Sequence, residues 1–141
     1  MSESIEKPKK KLIVKEIDLS KTWDLESQRD LIIQKLKKWR LYSENLLFKG
    51  FDASRIDLMK QHGTDSSEET IFCSTEEELT EDVGGMRMRS AINYAIRSES
   101  GSGAMAIYDK SKLIPEPIEF EYRLKDGFTF KDALLMIIIL K

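Results

Sequence analysis

The sequence predicts an α+β domain whose helices come mostly early and whose strands gather late. Three observations carry that expectation. Over residues 24–42, Leu25, Ile32, Leu36 and Trp39 recur at helical spacing, while Lys35, Lys37, Lys38 and Arg40 occupy other faces. From Ala104 onward, short apolar or alternating runs are separated by Gly and Pro, the pattern of strands and turns. Residues 134–140 are apolar throughout and include three isoleucines, which suits a central strand buried on both faces, a buried helix being the alternative. The sheet core is expected to be antiparallel or mixed, with the early helices flanking it.

Residues 1–11 carry four lysines and a proline and read as a flexible basic arm, with residues 12–141 forming one domain. Leu12, Ile13 and Val14 open that domain as a short strand. After the first helix, residues 45–49 read as a buried strand ended by Gly50. Asp52 or Ser54 is placed to cap a short helix bearing Ile56 and Met59, closed by Gly63 after His62. Residues 64–69 are polar and loop-like. Residues 70–73 resume as a strand, and Ser74 or Thr75 is placed to cap a turn containing Glu76, Glu77 and Glu78. Gly84 and Gly85 break the chain before an amphipathic helix over residues 86–98, with Met88, Ala91, Ile92, Ala95 and Ile96 on its apolar side. Gly101, Ser102 and Gly103 lead into a strand over residues 104–109. Pro115 and Pro117 bracket a turn before an alternating strand over residues 118–124. Lys125-Asp126-Gly127 is a hairpin signal between two strand-like runs.

Composition bounds the function. A chain of 141 residues, 40% hydrophobic and 34% charged, is long enough for one globular core and is not of disordered composition. Its 23 basic and 25 acidic residues give a net charge of -2, which argues against broad attraction to nucleic acid but not against a local patch. One cysteine, Cys73, and one histidine, His62, exclude a disulfide framework and a cysteine- or histidine-rich metal site, so no metal is expected. Residues 133–140 are too few to span a bilayer and the start of the sequence has no signal-type apolar run, so a cytoplasmic location and no membrane partner are expected.

Three short elements stand out for their order. They are Leu47-Phe48-Lys49-Gly50, then Ile71-Phe72-Cys73-Ser74-Thr75-Glu76, then Ile118-Glu119-Phe120-Glu121-Tyr122, each on an expected strand. A basic residue, a Ser-Thr pair and a paired glutamate are the groups needed to hold NAD and split it. Each element also has a simpler account. Lys49 reads as a solvent-facing lysine at a strand end, and Ser74-Thr75 as a helix cap. Glu119 and Glu121 read as one solvated face of an antiparallel strand. Cys73 with His62 suggests a thiol nucleophile, but a thiol inside an apolar strand reads as buried and inert. Lys35, Lys37, Lys38 and Arg40 with Trp39 and Tyr42 form a basic-aromatic patch, of which Trp39 belongs to the apolar stripe.

Taken together the three elements resemble the ADP-ribosyltransferase superfamily, in particular its arginine–serine–glutamate mono-ADP-ribosyltransferases. Phe48-Lys49-Gly50 stands where that class has an arginine and a glycine on an early strand. Phe72-Cys73-Ser74-Thr75-Glu76 resembles its Ser-Thr-Ser segment, with glutamate in the last slot. Glu119-Phe120-Glu121, followed by Gly127 and Phe130, resembles its Glu-x-Glu and the aromatic beyond it. The resemblance spans residues 46–131 and implies an ADP-ribosyltransferase-like fold that cleaves NAD and transfers ADP-ribose to a protein or nucleic-acid target. Glu121 and Glu119 would be the catalytic residues, with Glu121 stabilising the cationic ribose as nicotinamide departs. Lys49, Ser74 and Thr75 would bind NAD, with lysine supplying a point charge where arginine would supply a planar fork. The same fold could also serve as a non-catalytic interaction module, or modify nucleic acid as a histidine-bearing branch of the superfamily does.

Overall fold

A computed structural model of the chain describes residues 12–65, 69–79, 82–83, 88–96, 102–118 and 120–141. The expected basic arm, residues 1–11, lies outside them, as does Glu119. Strand β1 (Ile13–Ile17) is followed by helix α1 (Leu25–Lys38), which begins where the Asp24 side chain accepts from the Ser27 amide at 2.7 Å. That bond holds the Asp24 carboxyl below the usual carboxylate range. Ile32 and Leu36 are fully buried on the inner face of α1, a contribution of roughly 2 kcal/mol each. The helix stops short of the expected residue 42 because Arg40 takes a left-handed backbone conformation, φ 60°.

Strand β2 (Leu46–Asp52) leads through a tight turn capped by Asp52 into α2 (Ile56–His62), which ends at Gly63 with φ 80°. Then come β3 (Thr70–Phe72), the short strands β4 (Asp82–Val83) and β5 (Met88–Arg89), and helix α3 (Ala91–Ile96). The long strand β6 (Gly103–Asp109) precedes β7 (Leu113–Pro115) and β8 (Glu121–Leu124). A single helical turn, α4 (Phe130–Ala133), leads directly into β9 (Leu134–Leu140).

A four-stranded sheet has the order β1-β9-β6-β2, with β1 parallel to β9 and the other neighbours antiparallel. This makes β9 a central strand, as its unbroken apolar sequence requires. A three-stranded antiparallel sheet has the order β3-β8-β7. The two meet just beyond β3. There Phe48 and Ser74 exchange backbone hydrogen bonds of 2.9 and 2.7 Å, and the Cys73 amide donates to the Phe120 carbonyl at 2.6 Å.

The larger sheet is covered on both faces. On one, Leu47, Phe51, Ala106 and Ile137 pack with Ile71, Cys73 and Tyr122 of the smaller sheet, Met59 of α2, and Phe130 of α4. On the other, Phe48, Met105, Ile107 and Ile138 pack under α1 and α3. The domain is therefore α+β and mixed in strand direction, as the sequence predicts at that level.

Several local expectations are corrected. Gly50 does not end its strand but sits within β2, because α3 crosses so closely that a Cβ there would meet the Ala91 carbonyl oxygen. The expected helix over residues 86–98 is described only from Ala91, since Met88 and Arg89 pair with β4 as a strand. The Lys125-Asp126-Gly127 turn joins β8 to α4 rather than two paired strands, so no hairpin forms there. Thr129 caps that helical turn reciprocally with Asp132, at 2.9 and 3.0 Å. The alternating strand begins at Glu121, because Phe120 adopts φ 67°, a left-handed conformation uncommon for a bulky residue.

Candidate functional site

Lys49 alternates along β2 with Leu47 and Phe51, and so enters the space between the two sheets. Its Nζ lies 3.6 Å from Asp65 Oδ1, with side chains 14% and 10% exposed, and Arg55 Nη1 lies 3.9 Å from Asp65 Oδ2. Asp65 reaches this position because the end of α2 is pinned. The buried Tyr108 hydroxyl donates to the Gly63 carbonyl at 2.7 Å and lies 3.3 Å from Met59 Sδ. Burial, with the neighbouring Cys73 and Asp65, pushes the Tyr108 hydroxyl well above its usual range, so it remains a donor. Cys73 is also enclosed there. Burial pushes its thiol up to about 12, with Lys49 opposing the shift, so it carries no nucleophilic thiolate near neutral pH. His62 is exposed at the last position of α2.

Ser74 takes a different direction. It is 2% exposed, and its Oγ accepts from the Ala91 amide at 2.9 Å, capping α3 on the helical side of the larger sheet. Ser74→Ala leaves that buried amide unpaired and is expected to cost about 1–2 kcal/mol. A urea unfolding series checks this; an unchanged midpoint would remove the cap from the account. Thr75 is occupied locally, with its amide and hydroxyl each 3.0 Å from Glu78 Oε1 at the start of the Glu76–Glu78 turn. The capping role foreseen for either Ser74 or Thr75 is thus divided, each serving a separate element.

Glu121 takes a third direction. In β8 its neighbour Tyr122 points inward with Ile71, so Glu121 lies on the outer face of the smaller sheet, across from Phe72. Its Oε1 accepts from Thr70 Oγ1 at 2.7 Å. On the same face Arg123 Nε lies 3.0 Å from Glu116 Oε1. The strand that carries Glu121 starts only after the left-handed Phe120, not at residue 118 as expected; Glu119, and with it the expected sharing of one face, lies outside the described residues.

The fold therefore sets the motif-bearing segments side by side, with Ser74 bridging β2 and β3 pairing with β8. It does not bring the side chains together: Lys49 faces between the sheets, Ser74 faces α3, and Glu121 faces outward. Two surface depressions, of about 230 and 540 Å³, are lined by none of the three. Sequence reasoning missed Asp65, which lies in a polar stretch with nothing to mark it as a partner for a residue on β2. It also missed the buried Asn93, whose Oδ1 accepts from Arg29 Nε at 2.6 Å and ties α3 to α1.

At the end of α1, Trp39 is partly buried, with Lys15 Nζ over its ring at 4.8 Å, while Lys37 Nζ lies 5.0 Å from the centroid of Tyr42. Among the described residues, no group of three or more His, Cys, Asp or Glu side chains could hold a metal ion, and no helix is long and apolar enough to cross a membrane. No protein-family model matches the chain, and comparisons with curated proteins and with solved structures find no match.

Proposed function

We propose that the chain acts by binding, as a non-catalytic α+β interaction module, and not by splitting NAD. The observation that supports this reading is the separate engagement of the three motif side chains. Lys49 is turned to Asp65, Ser74 to the Ala91 amide, and Glu121 to Thr70 on the far face of the smaller sheet. Splitting NAD needs a cation and a carboxylate on the same substrate, since the transition state is stabilised only by groups already aimed at it. Charges on opposite sides of a sheet do not meet that need.

A second reading keeps one observation in its favour. Lys49, Ser74 and Glu121 stand on neighbouring segments, as an NAD-dependent mono-ADP-ribosyltransferase would require. Its contacts would be Lys49, Ser74 and Thr75 to NAD, with Glu121 and Glu119 acting on the ribose and the incoming target.

One experiment separates the two. The binding reading expects NAD to leave the melting temperature unchanged and no nicotinamide to be released. It also expects Lys49→Arg to confer no NAD affinity. An NAD-dependent rise in melting temperature, with cleavage that Glu121→Gln abolishes in a folded protein, reverses the assignment in favour of the transferase.

A further inference from the structure

We infer that the open edge of β1 accepts an extended acidic segment of a partner protein as an added strand; this rests on the binding reading above. β1 is the outer strand of the larger sheet, and among the described residues nothing pairs with its far side. The Ile17 carbonyl accepts from the Lys141 amide at 2.9 Å, which turns the backbone of Ile17 toward β9. Alternation then turns Ile13 and Lys15 the same way, and leaves the N–H and C=O groups of Val14 and Glu16 facing outward. These groups can form the ladder that strand addition uses. The apolar side chains beside them, Ile13 and Val14, are 49% and 41% exposed.

Charge selects the occupant. Lys15 lies against Trp39, which brings the last turn of α1, with Lys35, Lys37 and Lys38, and the following Arg40 beside the helical side of the edge. On the opposite face Lys141 Nζ lies 2.9 Å from Glu16 Oε2, so the one acidic side chain of β1 already has a cation. An incoming strand therefore meets positive charge on the helical side of the edge. A second copy fits less well. Antiparallel pairing of β1 with itself along its full length sets Lys15 opposite Lys15, and like charges directly opposite oppose pairing.

The test uses a fluorescent peptide of alternating valine and glutamate, and one of alternating valine and lysine, titrated with the full chain and followed by anisotropy. The acidic peptide is expected to bind and the basic one not to bind. Val14→Pro deletes an outward N–H without touching the β9 ladder, and proline is tolerated at such edge positions. It is expected to weaken binding about tenfold while the melting temperature holds. Lys15→Glu, which keeps every backbone group, is expected to weaken the acidic peptide and favour the basic one. Binding indifferent to both variants overturns the inference, as does self-association that Val14→Pro abolishes. No peptide binding, together with no NAD effect, overturns this surface while leaving the binding reading in place.

Discussion

Gly103→Ala is expected to cost about 3 kcal/mol or more of folding stability, with Gly50→Ala close behind. Both glycines lie under α3, and a Cβ at Gly103 would meet the Ala95 carbonyl while one at Gly50 would meet the Ala91 carbonyl. The obstruction is backbone in each case, so no side chain can turn aside to relieve it. The helix must lift from the sheet, and with it go the packing of Ile92 on Phe48 and Met105 and the hydrogen bond from Ala91 to Ser74. Gly127→Ala is the control. Nothing lies within 4 Å of a Cβ there, and only the left-handed backbone, φ 89°, opposes the change. That strain costs about 1 kcal/mol. Urea unfolding of the three variants reads the difference. A Gly103→Ala protein no less stable than Gly127→Ala would mean that α3 is not seated on the strands as described.

Asp65→Ala is the second large effect, expected at about 3 kcal/mol, because it strands the Lys49 ammonium between two sheets. Lys49→Met, which removes the charge but leaves Asp65 its contact with Arg55 Nη1 at 3.9 Å, is expected to cost less, about 1 kcal/mol. The double variant should recover most of the loss, since neither charge then remains without its partner. A thermal denaturation cycle over the four proteins measures this. If Asp65→Ala costs no more than about 0.5 kcal/mol, as surface substitutions usually do, Lys49 is reaching water and not Asp65. The same cycle bears on function. A lysine whose charge balances an internal aspartate stabilises the fold, and a search for NAD contacts would then have to begin elsewhere.

The parts of the fold legible in the sequence were those set by local pattern. Leu134–Leu140 announces a central strand because every side chain is apolar, and it lies between β1 and β6. Leu25, Ile32 and Leu36 announce α1 through their spacing, and Gly63 marks the end of α2 through its position after His62. What could not be read depends on contacts distant in sequence. Gly50 resembles a strand terminator until α3 is laid across it. Lys125-Asp126-Gly127 carries hairpin chemistry, yet the reciprocal cap of Thr129 and Asp132 starts a helical turn before the next strand. For the candidate site, the three elements lie on neighbouring segments. The direction of each side chain did not follow, because it was fixed by Asp65, by the amide of Ala91 and by the left-handed Phe120, none of which periodicity reveals.

The parallel pairing of β1 with β9 constrains how the chain reaches its native state. Ile13 faces Met136, so the first strand has no place in the sheet until nearly all the sequence between them has been made and arranged. The antiparallel pair β2–β6 and the β6–β9 pair can form earlier, each closing a shorter loop at lower entropic cost. Strand β1 and the end of α1 that leans on it through Lys15 and Trp39 are then late arrivals, docking onto a sheet whose other members already stand.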